Sequence, residues 1–154
     1  MNTKHALFLV SAILFCSCTS TYKQADYFHT EGFVDTRLGL EMFKVTYNGG
    51  AFTDIQTAVD FCLLRCAEVT IERGHNYFRV TKDTAGISRY LVRNPDLHGS
   101  INGSPVRILG GYSQDIPRAV SSNIIVCKKS IPASSNEFLN ARKIKDYLTQ
   151  KYAK

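Results

Sequence analysis

Phe43, Val45 and Tyr47 alternate with Met42, Lys44 and Thr46, the period-two pattern of a strand buried on one face. Phe33, Val34 and Thr36 precede that run, with a turn near Gly39. Residues 32–48 therefore predict an antiparallel hairpin, closed off by Asn48-Gly49-Gly50. Past that turn the period changes to that of a helix. Ile55, Ala58, Val59, Cys62, Cys66 and Val69 fall on one stripe, while Gln56, Asp60 and Glu68 lie away from it. Thr53-Asp54-Ile55-Gln56 fits a capping box at the start, and Gly74 supplies the stop. Leu63, Leu64, Ala67 and Ile71 widen the apolar surface, so this helix is expected to be covered on more than one side.

Residues 76–81 read as the next strand. Residues 82–122 are rich in Gly, Pro, Ser and Asn, with β-like pieces at 89–92 and 106–109. Forty residues without structure would be unusual in a compact domain, so a hairpin or a long flap is expected there. Asn123 to Cys127 reads as a short strand. Ser134-Ser135-Asn136-Glu137 forms a second capping box before a last helix. That helix sets Phe138, Ala141, Ile144, Leu148 and Tyr152 on one stripe, with Arg142, Lys143, Asp146 and Gln150 opposite. The order is ββαβ, a loop or hairpin, then βα. It predicts an α+β fold: a small antiparallel or mixed sheet with two helices packed on one face.

A different apolar pattern precedes all of this. Lys4 is followed by an apolar run over residues 6–15 and then by Cys16-Ser17-Cys18. A positive start, a run of that length and a small residue before the cut make a secretory signal peptide. The run is too short for the ~18 residues that would span a bilayer. Ser17 before Cys18 resembles the lipobox of bacterial lipoproteins, whereas Phe15 before Cys16 is too bulky. Phe15 also departs from the Leu usual three residues before the lipidated cysteine. That resemblance implies a signal peptide over 1–17, acylation of Cys18 by chains such as palmitate, a lipidated tether over 18–31 and one domain over 32–154. Thr19 stands where an Asp would imply inner-membrane retention, so the resemblance implies an outer-membrane address facing the periplasm. Cleavage after Ser20 without a lipid is the alternative.

Composition adds two constraints. The 137 residues left after removing 1–17 from 154 fit one domain. The formal charge falls from +6 to +5 with the loss of Lys4, a balance that favours anionic partners or serves only solubility. Cys62, Cys66 and Cys127 are an odd number of thiols in an oxidising compartment, so they do not make a disulfide framework.

Candidate chemistry is sparse. Cys62 and Cys66, one helical turn apart, would need His75 or Cys127 to complete a zinc or copper site; burial as small apolar residues is the expected role. His29, His75 and His98 have no acid or nucleophile at a recognisable spacing. Gly110-Gly111 lacks the Lys-Ser/Thr of a phosphate loop and reads as a turn. Arg65 and Glu68 are spaced as a helical i,i+3 ion pair.

Gly32-Phe33-Val34-Asp35-Thr36-Arg37-Leu38, Phe43-Lys44-Val45, Asn48-Gly49-Gly50-Ala51-Phe52-Thr53, Arg65-Cys66-Ala67-Glu68-Val69-Thr70 and Gly74-His75-Asn76-Tyr77-Phe78 together resemble an uncharacterised family of proteobacterial lipoproteins. Cys66 stands where that pattern often has Ala. The expectation is a lipid-anchored envelope protein with no catalytic, cofactor or metal residues. It would be a non-enzymatic binding or assembly module that meets the membrane through its lipid, and an envelope protein or anionic polymer but no nucleic acid. The alternative is a metal-handling protein or enzyme built from the middle segment and the cysteines. Residues 82–122, with Arg142 and Lys143, are the expected contact surfaces.

Overall fold

A computed structural model describes residues 22–26, 30–93, 97–101, 104–108, 113–131, 135 and 137–153. The signal peptide, Cys18, His29 and Gly110-Gly111 lie outside them. The elements follow as β1 (Gly32–Arg37), β2 (Met42–Asn48), α1 (Ile55–Glu72), β3 (Tyr77–Arg93), β4 (Leu97–Ile101), β5 (Ser104–Ile108), β6 (Ser113–Lys128), β7 (Leu139–Asn140) and α2 (Ala141–Tyr152). Five strands form an open antiparallel sheet in the order β1-β2-β6-β3-β7, and β4 pairs with β5 in a separate ladder. The fold is α+β, as the alternation of periods predicts.

The core lies between one face of the sheet and α1. Phe43, Val45 and Tyr47 point inward from β2, Ile125 and Cys127 from β6, and Phe78 from β3. Ala58, Cys62, Cys66 and Val69 meet them from the helix, all fully buried. Each large apolar side chain so enclosed stabilises the fold by about 1.5–3 kcal/mol. The opposite side of α1 is also covered. Ala141 and Leu148 of α2 are buried, and Tyr152 packs edge-on to Phe61 with centroids 4.7 Å apart. Ile55, predicted on the apolar stripe, is exposed at the start of the helix.

Both helix starts differ from the capping boxes expected. Asp54 caps α1, accepting from the Thr57 amide at 2.9 Å, while the Thr53 hydroxyl accepts from the Gly50 amide at 2.9 Å. Two adjacent cap-forming residues compete, and the preceding turn takes the threonine. The last helix starts at Ala141, capped by Asn140, because Leu139 and Asn140 pair with Phe78 and Tyr77 first. Gly74 takes a left-handed φ of 75° just past α1, as its stop role requires.

Residues 82–122, expected as a hairpin or flap, belong mostly to two long strands. β3 and β6 stay paired from Tyr77↔Lys128 to Arg93↔Ser113, far beyond the end of β2. A bulge at Thr81 interrupts the ladder: Val80 pairs with Ile125, and Lys82 with the next residue, Ile124. No helix among the described residues is long and apolar enough to cross a membrane.

Candidate functional site

Residues 22–26, expected to be free tether, are docked on the domain. Phe33 donates its amide to the Lys23 carbonyl at 2.9 Å, and Ala25 donates to the Phe33 carbonyl at 3.0 Å. Gln24 thereby makes a parallel bridge with Phe33 at the edge of β1. The approach depends on Gly32: its φ is +121°, and a Cβ there would sit 2.3 Å from the Lys23 carbonyl oxygen.

Tyr22 closes this seam. Its ring lies 5.0 Å from Phe33 and 5.3 Å from Phe61, and its hydroxyl donates to Glu68 at 2.5 Å. Burial first, then the bond to Glu68, push the Tyr22 phenol above its ordinary range, so it stays a donor. The predicted Arg65–Glu68 pair is present at 3.3 Å but is one contact of a larger set. Arg65 also reaches Asp35 at 3.0 Å and Glu72 at 2.7 Å, and its guanidinium lies 4.5 Å over the Phe33 ring. Burial would lower the Arg65 pKa; Glu72 and Asp35 outweigh that and raise it. The cluster ties the docked segment, β1 and α1 together.

A second charged cluster was not legible as such in the sequence. Asp60, placed by periodicity on the polar side of α1, is buried beneath α2. It accepts from Gln56 at 2.9 Å, Lys151 at 2.5 Å and Tyr152 at 2.6 Å. Burial alone would raise its pKa; the hydrogen bonds from Lys151, Tyr152 and Gln56 hold it below the ordinary aspartate range. A carboxylate so engaged is a brace between the helices. No local spacing signals it, because Lys151 and Tyr152 stand 91 and 92 residues away.

The cysteines take the core places expected of them. Cys62, Cys66 and Cys127 are free and fully buried. Cys62 donates to the Val45 carbonyl at 3.5 Å, and Cys127 lies 3.4 Å from the Thr70 hydroxyl. The neighbouring Cys62 thiol and burial push Cys66 up, and burial pushes Cys127 up. Cys66 and Cys127 are thus kept as thiols, poor ligands and nucleophiles. The hydrogen bond from Cys66 draws Cys62 below its ordinary range, and burial keeps it from solvent. His75 follows α1 with its amide bonded to the Thr70 carbonyl, and His98 lies in β4. Among the described residues, no three His, Cys, Asp or Glu side chains gather as metal ligands.

The arm of β3 and β6 presents the most unusual surface. Ile87 and Tyr90 are about half exposed on it. At its base a cavity of about 220 Å³ is lined by Thr30, Asn48, Ser88, Tyr90, Arg118 and Val120. Arg118 donates to the Thr30 hydroxyl at 2.9 Å and lies 4.7 Å over the Tyr90 ring. Arg142 and Lys143 are exposed on α2.

The chain matches no known protein family, and no characterised protein or solved structure is significantly similar to it. Its function is therefore read from its own residues.

Proposed function

We propose that this chain is a lipid-anchored protein of the bacterial envelope, held at the outer membrane through Cys18 and facing the periplasm. In that place the folded domain acts as a non-enzymatic binding or assembly module for an envelope protein or an anionic envelope polymer. The observation that carries the proposal is the run from Lys4 through the apolar residues to Ser17-Cys18. Two or three acyl chains on one cysteine give a lasting anchor, because each buried CH₂ contributes about 0.8 kcal/mol and one chain alone holds only marginally. The docking of Tyr22 supports close coupling between anchor and domain, since only residues 19–21 separate it from Cys18. The exposed Arg142 and Lys143 of α2 are a surface offered to such a partner.

Fractionation with mass spectrometry tests the anchor. The membrane fraction is expected to contain a mature chain with a diacylglyceryl-modified Cys18, and Cys18→Ala is expected to release the protein from that fraction. A lipid-free mature chain beginning at Thr21 would overturn the proposal.

A further inference from the structure

Three registers place the chain's entry point and the arm at the same end of the domain. Gly32, Asn48, Val120 and Gly86 stand in one row across the sheet. Beyond that row β1 and β2 stop, whereas β3 and β6 continue as a lone pair from Ser88↔Arg118 to Arg93↔Ser113. Those six pairs extend about 20 Å at the usual rise of a strand. Residues 22–26 run parallel to β1, alongside Gly32 and Phe33. The chain therefore enters the domain from beyond the same row, on the side to which the arm projects. The connection from β2 to α1 lies there too, with Phe52 85% exposed.

We infer that this end of the domain rests on the lipid bilayer, with the arm as its contact. The inference rests on the lipid anchor proposed above and adds an orientation to it. The four Cα steps from Cys18 to Tyr22 reach about 14 Å at most when fully extended. A tether of that length, leaving toward the arm, is shorter than the arm itself. It cannot hold the arm clear of the surface that carries the lipid.

The chemistry of the arm suits a headgroup layer. Among its described side chains the arm carries Arg89, paired with Asp115 at 3.3 Å, and Arg118, which lies 4.7 Å over the Tyr90 ring, a net charge of 2 − 1 = +1. The half-exposed Tyr90 presents an aromatic body with a polar tip, the form that favours an interface between apolar and aqueous phases. The turn between β1 and β2 also exposes apolar side chains, Leu40 most of all at 84%. That turn lies at the far end of β1, about 20 Å from Gly32, and away from the direction in which the tether leaves.

The chain has no tryptophan, so a single introduced indole reports its own surroundings. The full chain, processed in a Gram-negative host, is reconstituted into phosphatidylcholine vesicles containing some phosphatidylglycerol and brominated acyl chains. Tyr90→Trp, with Ile87→Trp as a second arm variant that leaves the Tyr90–Arg118 contact intact, is compared with Leu40→Trp. Both arm variants are expected to lose emission to the bromines, as residues buried at the headgroup and acyl boundary would, while Leu40→Trp is unchanged. If the protein floats with the vesicles but neither arm variant is quenched, or only Leu40→Trp is, the orientation is wrong and the anchor stands. Shielding of the unquenched arm from iodide in intact envelopes alone would then assign it to a protein partner. Failure to float, with no lipid on Cys18, would overturn the anchor and the orientation together.

Discussion

The Tyr22 hydroxyl donates to the Glu68 carboxylate across 46 residues of sequence, joining the segment that enters the domain to the middle of α1. Glu68 is held in place by Arg65, which also binds Asp35 on β1 and Glu72 one turn further along the helix. One guanidinium thus fixes both the edge strand and the acceptor for the incoming tyrosine. The segment is docked by packing on Phe33 and Phe61, by two backbone hydrogen bonds and by this charged acceptor.

Gly32→Ala is expected to detach residues 22–26. The new Cβ would meet the Lys23 carbonyl, and an alanine at φ +121° is strained by about 1–3 kcal/mol. Tyr22→Ala is expected to cost about 2–3 kcal/mol through lost ring packing and a lost hydrogen bond to a charged group. Both act on one docked segment, so the double variant should cost less than the sum of the two. Urea unfolding gives the energies. Limited proteolysis should show new cleavage near residues 22–31 in either variant at urea concentrations where the core remains folded. Fully additive energies would mean the segment is not a single docked unit.

Asp60→Asn should destabilise the protein by about 1–3 kcal/mol at neutral pH, by weakening bonds to a charged acceptor. The folded-state pKa of Asp60 lies below its unfolded value of about 3.9. Its contribution is therefore complete above that unfolded value and is lost as pH falls through the lower folded-state value. The gap between wild type and variant should be constant from mildly acidic to neutral pH and should close below about pH 4. Urea midpoints measured across that range check this. A gap that closes near neutral pH would mean a different group is titrating.

Replacing both Cys62 and Cys66 with alanine is expected to cost about 1–3 kcal/mol, the loss of two buried sulfur atoms from a close-packed core. In the native protein the three described thiols should resist a thiol reagent, and all three should react once the chain is unfolded. Rapid native labelling of Cys66 would show that the core opens at α1 far more readily than its packing indicates. Stoichiometric zinc or copper that disappears in the double variant would assign these thiols to a metal instead.

The hairpin of β1 and β2 was legible because one of its faces is buried and the other wet, so its polarity alternates residue by residue. The body of α1 was legible for the same reason at helical spacing. Asp60 was misplaced because Leu63, Leu64, Ala67 and Ile71 announce a second covered side without saying which polar residue it buries, and that is set by α2 contacts 91 residues away. The caps shifted where a neighbouring turn or strand claimed the expected residues: Gly50 took Thr53, and pairing with β3 delayed α2 to Ala141. The arm was legible only as a hairpin or flap over residues 82–122, because strands that meet no other layer among the described residues have no reason to alternate. Docking of residues 22–26 rests on one glycine and one tyrosine, too little pattern to stand out from a polar linker.

The bulge at Thr81 sets the parity of everything beyond it. Phe78 and Val80 share the inner face with Cys127 and Ile125, yet Lys82 and Thr84 stand opposite Ile124 and Ser122 on the outer face. The single extra residue is what inverts the count. Deleting Thr81 alone would close the bulge and leave Lys82 opposite Ile124 and Thr84 opposite Ser122, so the projecting ladder would keep its two surfaces and lose only the local bend. Trimming an equal, even number of residues from both strands further out would leave each surface where it is and change only its reach. Length in this part of the chain is therefore free to vary in twos, and the bulge takes up the one odd residue that β3 carries.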